Sequence, residues 1–225
     1  MTTQSIIRLS VNPEGFADNV DELDADSFAS ALPTQHSFDY VSDEELGVYV
    51  GVWDTTSMQE SAGAYEFEEF MVVLEGFAEI KNNKTDQITK VSAGQAFVIP
   101  RGFDCQWIQN GYLKKFYFIV DNEQLCASNK DANNITIIDQ DTLQKYQNKQ
   151  QNFHAGVDNY SYKSSQSAVA AQRFIYVLSG QVTVTDEHNI KHEFSAGDAF
   201  YLAKSKALIW QASENFQSYF VHLYH

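Results

Sequence analysis

The chain has 225 residues, 44% of them hydrophobic and 14% aromatic, enough apolar material for one large or two small cores and too much for a disordered chain. Fifteen Lys and Arg against 30 Asp and Glu leave a net charge of −15, which repels nucleic-acid phosphates and anionic lipid, so neither nucleic acid nor membrane is expected as a partner. The first residues lack the apolar run of a signal peptide and no stretch approaches the ~20 apolar residues a bilayer requires, so a cytoplasmic protein is expected. In that setting Cys105 and Cys126 favour free thiols, and their spacing is not that of a metal-ligand pair; a disulfide between them stays open.

Residues 1–36 mix acidic side chains with scattered apolar ones such as Phe16, Val20, Phe28 and Leu32, which predicts an arm with one short helix near 24–31. Strands begin around Tyr40, where β-branched and aromatic residues recur between turn formers. Further on, six residues separate Glu69 from Gly76 and five separate Gly94 from Pro100, with Gly102 and Cys105 following. These are two apolar strands closed by a Pro-x-Gly turn, a compact β unit. The closing segment 115–120 reads as uniformly apolar, the pattern of a strand covered on both faces. Residues 123–149 turn polar and form a connector, in which the insert 135–138 is expected to pair with a sheet edge. The chain then repeats itself. Segment 174–184 matches 70–80 at an offset of 104, segment 195–200 matches 92–97 at an offset of 103, and Trp210 falls on Trp107.

Strand alternation places Tyr65, Phe67, Glu69, Met71 and Val73 on the inner face of the first block, and Cys105, Trp107 and Gln109 on that of the second, with Trp53 nearby. Phe70, Val72 and Leu74 then point outward and need a cover from the second barrel, the arm or another subunit, and a homodimer is expected. A carboxylate ringed by aromatics suits an organic cation, through charge pairing and cation-π contact. A glutamate held by a backbone or tyrosine hydrogen bond is the other reading of the same residues. Arg173 stands in the repeat where Glu69 stands in the first half, reversing the sign. It either attracts an anion or pairs with an acid from the connector or first barrel.

The glycine and proline skeleton resembles that of the cupin superfamily. The wording at 51–54, 68–70, 74–76 and 94–103 resembles the cupins grouped around the (S)-ureidoglycine aminohydrolase cupin domain. The resemblance implies an all-β bicupin: two tandem jelly-roll barrels of the RmlC-like type, with an arm 1–36, barrel 1 at 37–122, a connector 123–149 and a degenerate barrel 2 at 150–225. It places the family's metal-ligand positions on Gly63, Tyr65, Glu69 and Cys105, of which the glutamate alone keeps the family type, and on Ser167, Val169, Arg173 and Leu208 in the repeat. The aminohydrolase is implied to hold its metal in the C-terminal cupin, the half most eroded here. No metal ligand and no cofactor are therefore expected, since Glu, Tyr, Cys and Gln without imidazole would make an unusual divalent site.

The expected function is binding of a small polar, amino-bearing metabolite in barrel 1, through Trp53, Tyr65, Phe67, Glu69, Met71, Cys105, Trp107 and Gln109, with Arg173 a candidate in barrel 2. The alternative is an enzyme on a small nitrogenous metabolite, ureidoglycine-aminohydrolase-like, either with a metal held by Glu69 and further ligands the sequence does not name, or metal-free with Glu69 as acid/base and Tyr65 or Cys105 assisting. No nucleophile-base pair is legible, so no catalytic residue is named. A scaffold with packed, dry barrels is the third reading.

Overall fold

Apolar residues in period two, cut by glycine turns, build an all-β chain of antiparallel strands; the computed structural model describes residues 5–140, 145–159 and 165–225, and the side chains of 165–169 and 205–207 lie outside that description. Two units divide the chain: Val11–Ile137 with Asn148–Gln150, and Gln151–His225 with Ile138–Gln147 and the N-terminal segment to Ser10. Among the described residues no helix is long and apolar enough to cross a membrane.

In the first unit a six-stranded sheet runs in the order Thr136–Ile138, Ala96–Ile99, Glu68–Glu75, Leu113–Val120, Val48–Thr55, Gln35–Asp43. A second sheet runs Met58–Gln59, Asp104–Gln109, Phe77–Asn82, Ile88–Ser92, with Gly63–Ala64 also paired to Asp104–Gln109. Met71, Val73, Ile80, Phe97, Ile99, Phe103 and Trp107 fill the space within this unit. The insert expected to pair with an edge does so, as Thr136–Ile138 beside Ala96–Ile99. The short helix expected near 24–31 is a single 3-10 turn, Ala25–Ser27, capped by the Asp24 carboxylate accepting from the Asp26 N–H. Asp, Ser and Ala without an apolar stripe give a longer helix nothing to bury.

The second unit repeats the plan, with Ile6–Leu9, Ala199–Leu202, Gln172–Ser179, Gln217–Leu223, Phe153–Asn159 and Tyr146–Gln147 in one sheet and Ser165–Val169, Ser205–Ala212, Gln181–Thr185 and Lys191–Ser195 in the other. The start of the arm is thus an edge strand, Ile6 facing Leu202 and Leu9 facing Ala199. The registers carry the sequence repeat: Ile80 faces Trp107 as Val184 faces Trp210. Gly94 and Gly197 both sit at positive φ, +87° and +91°, and their N–H groups donate to Val73 and Val177 at the same point of the turn. Glycine is the residue that takes this left-handed conformation without strain.

Phe70, Val72, Phe116, Phe118 and Val120 are all at most 1% exposed within the chain itself. Leu74, the other outward residue of the strand Glu68–Glu75, is partly buried.

Candidate functional site

The inner face of the first unit holds a cavity of about 330 Å³ lined by Gln35, Ser37, Asp39, Tyr49, Trp53, Glu60, Tyr65, Phe67, Glu69, Lys115, Tyr117 and Ile119. Alternation explains the set. Gln35, Ser37 and Asp39 share one face of their strand, Tyr49 and Trp53 that of the next, and Lys115, Tyr117 and Ile119 that of the strand between Val48–Thr55 and Glu68–Glu75. Burial sorts them by depth. Glu69, Lys115 and Tyr117 form the floor at 2%, 6% and 5% exposure, the rings of Tyr49, Trp53, Tyr65 and Phe67 form partly buried walls, and Asp39 lies at the exposed rim.

The floor differs from the sequence reading in one decisive respect. Lys115 Nζ lies 2.7 Å from Glu69 Oε1, and the Tyr65 hydroxyl donates to Glu69 Oε2, so both carboxylate oxygens are used by the protein. The ammonium also sits 4.7 Å from the centroid of Trp53 and 4.8 Å from that of Trp107, and 3.1 Å from Met71 Sδ. Two indole faces and a thioether line the buried cation, within the range of cation-π attraction. The segment 115–120 was expected to be apolar on both faces; its first residue is a buried ion-pair partner. A charge at the end of an apolar run reads as a strand terminus until the strand order places a glutamate beside it.

Of the residues expected to bind ligand, Trp53, Tyr65, Phe67 and Glu69 line this cavity together. Met71 and Trp107 lie behind it, packed on Lys115. Gln109 is 1% exposed and accepts from Trp107 Nε1 at 3.2 Å, a structural partner of the indole. Cys105 turns to an adjoining recess of about 360 Å³, which it lines with Ser27, Phe28, Glu60, Gly63, Tyr65 and Phe67. Burial, with Glu60 and Asp104 nearby, pushes the Cys105 thiol up to about 12, which keeps it protonated and unfit as a nucleophile or metal ligand near neutral pH. Arg173 lies in the second unit; no ion pair of Arg173 occurs among the described residues, which leave out the connector acid Asp141, and its Nε is buried without a hydrogen bond. Ser167 and Val169 are on strand Ser165–Val169, with side chains outside the described residues, and Leu208 is buried core.

Sequence reasoning missed Glu60, Asp39 and Tyr117 besides Lys115. Glu60 follows the two-residue strand Met58–Gln59, in a stretch with no period to orient it. It lines both recesses. Burial drives its pKa up to about 7; Lys115 pulls it down and Glu69 pushes it up, in that order of weight. Tyr117 donates to Asp39 Oδ1 at 2.6 Å, and burial pushes the phenol far above its ordinary value. The Tyr65 phenol is also raised well above its ordinary value, first by burial and then by Glu69 and Glu60. Burial raises Asp39 as well, partly offset by the Tyr117 hydrogen bond.

The residues do not fit the metal of an ordinary cupin. Gly63 offers no side chain, Cys105 holds its proton, and Glu69 is saturated by a lysine and a tyrosine. Among the described residues no group of three or more His, Cys, Asp or Glu side chains converges on a point that could hold an ion. The charge that a divalent ion would supply beside the glutamate is supplied here by an ammonium.

Comparison with solved structures gives the same architecture. A DUF861-family protein of unknown function from Pseudomonas syringae superposes with a TM-score of 0.66 at 14% identity, over 97% of this chain and 99% of that one. Escherichia coli YlbA, also of DUF861, gives 0.60 at 11% over 92% and 88%. A cupin 2 conserved barrel domain protein from Leptotrichia buccalis gives 0.61 at 12% over 86% and 89%. At these identities the likeness shows the fold alone. No curated protein matches the chain. The family model described as the EutQ-like cupin domain matches residues 44–117 and 163–220, one segment in each half and together more than half of the chain. With the cupin architecture present twice and both halves matched, this chain belongs to the EutQ-like cupin domain family.

Proposed function

We propose that the first unit binds a small amino-bearing metabolite as its ammonium form, with Glu60 as the charge partner. One observation carries this reading: Glu60 is a half-buried carboxyl beside aromatic rings, and among the described residues no hydrogen bond reaches its carboxyl group. Lys115 acts on it through its charge but is committed to Glu69. An incoming ammonium supplies the missing counter-charge, and Tyr49, Tyr65 and Phe67 offer π faces to its alkyl part and charge. Glu69, the residue that first suggested such a ligand, is in this reading part of the floor. Ligand entry favours the ionised form of Glu60, so binding expels a proton and affinity rises with pH through about 7.

The test is a thermal-shift screen of primary amines, ureido compounds and carboxylates, run beside elemental analysis of the purified protein. Amines are expected to stabilise the protein and to lose that effect in Glu60→Gln. Stoichiometric manganese, iron, nickel or zinc that disappears on substitution of Glu69 would replace this reading with a metal-dependent one.

A second reading, turnover of a small nitrogenous metabolite of the ureidoglycine-aminohydrolase kind, is favoured by the same carboxyl. A pKa near 7 suits a residue that takes and returns protons at neutral pH. Ammonia release from ureido compounds, abolished in Glu60→Gln, would promote it.

A further inference from the structure

The second unit carries a row of basic side chains that the first-unit reading leaves unused. Arg173 faces His222, and His222 faces His154, across three adjacent strands. Gln147 faces His154 on the fourth strand, with its Nε2 3.1 Å from His154 Nε2. Side chains paired in this way lie about 5 Å apart at Cβ, so the row is continuous. Its position is that of the first cavity: Glu69 faces Ile119 and Ile119 faces Tyr49, and all three line that cavity. Arg173, His222 and His154 therefore occupy in the second unit the register positions that line the cavity of the first, with Ile175 and Val177, further along the strand of Arg173, in the core.

Three potential cations stand side by side, and His222 records it. The Arg173 Nε is buried and has no hydrogen bond. His222 is driven down to about 3 by burial first, then by Arg173 and His154. His154 spends Nε2 on the Gln151 carbonyl at 2.8 Å. Aromatic rings flank the row: Phe220 lies 4.6 Å and Tyr224 6.3 Å from the His222 ring, and Tyr224 lies 5.5 Å from the His154 ring. Other charged groups near the row are His225, whose carbonyl accepts from Lys204 Nζ, and Asp158, four residues along from His154 on the same strand face.

We propose that this row is a second binding site, of opposite sign to the first, for the carboxylate of a small organic acid held by Arg173 and His222. The guanidinium fork matches a carboxylate, and the rings of Phe220 and Tyr224 suit the organic part better than an inorganic anion. Anion binding stabilises protonated His222, so a bound carboxylate raises the pH at which that ring takes up its proton above the value of about 3 in the free chain.

The experiment follows the histidine ring resonances of the full chain by NMR during titration with sodium benzoate, against sodium phosphate and sodium chloride at equal ionic strength. Benzoate is expected to shift the His222 resonance saturably and to raise its midpoint above that of the free protein. Arg173→Gln abolishes the shift, and Arg173→Lys, which keeps charge without the fork and guards against a folding defect in the first variant, weakens binding about tenfold. No saturable shift, a shift unchanged in both variants, or a shift with phosphate and not with benzoate would each overturn the proposal.

Discussion

Lys115 is the residue on which the chemistry of the first unit turns. A buried ion pair contributes little net stability because both ions have lost water, but removing one partner strands the other. Lys115→Met is therefore expected to destabilise the protein by about 3–5 kcal/mol in urea denaturation, and the double variant Lys115→Met/Glu69→Gln to recover most of that loss. A double variant that loses as much as the two single variants added together would mean that the pair is not coupled. The inward direction of Glu69 was legible, because alternation through Met71 and Val73 fixes it. Its partner was not, because the lysine comes from a strand 46 positions away in the chain. Only the strand order brings the two together. Glu60 was illegible for a different reason: between short bridges no period exists to say which way a side chain faces.

At the level of the strands, Gly51 lets the rim of the cavity form. A Cβ there would lie 2.2 Å from the Phe38 carbonyl oxygen and 2.3 Å from the Tyr117 hydroxyl, so the bare backbone of Val48–Thr55 leaves the corridor through which Tyr117 reaches Asp39. The adjacent strand shifts register between Asp39 and Val41, the mark of a bulge that re-aims a side chain. Gly51→Ala is expected to cost about 1–3 kcal/mol by overpacking and to weaken amine binding, read by calorimetry. At Gly94 a Cβ meets nothing within 4 Å, and the cost of alanine there comes from the φ of +87° alone. The edge pairing of the insert at 135–138 was legible from its apolar residues set in a polar stretch. The pairing of Ile6–Leu9 was not, since four residues in an acidic arm carry no sign of the sheet they join.

On the scale of the molecule, the repeat was the most legible feature, because offsets of 103 and 104 recur in blocks that hold glycine turns and core residues together. What the repeat concealed is that equivalent positions have opposite chemistry, Glu69 against Arg173. Two groups give the halves opposite pH behaviour. Glu60, raised from 4.5 to about 7 in the folded chain, binds its proton more tightly there than when unfolded; its contribution is fully present below 4.5 and is lost as pH rises through 7. His222, lowered from 6.5 to about 3, takes up a proton more readily when unfolded; its contribution is present above 6.5 and is lost as pH falls toward 3. Glu60→Gln should therefore gain stability over the parent chain above pH 7, and His222→Gln should gain it at pH 4, in urea titrations across that range. A parallel offset at every pH would show that neither group is coupled to folding in this way.

The most direct measurement is calorimetry at pH 7, in two buffers of different ionisation heat, with the primary amine that most stabilises the protein. An ammonium pairing with Glu60 releases about half a proton for each site filled, because the carboxyl is about half protonated at its own pKa. The release should vanish in Glu60→Gln. Amine binding with no proton release in the parent chain, equal release in the variant, or no amine binding at all would contradict the assignment of Glu60 as the ligand's charge partner.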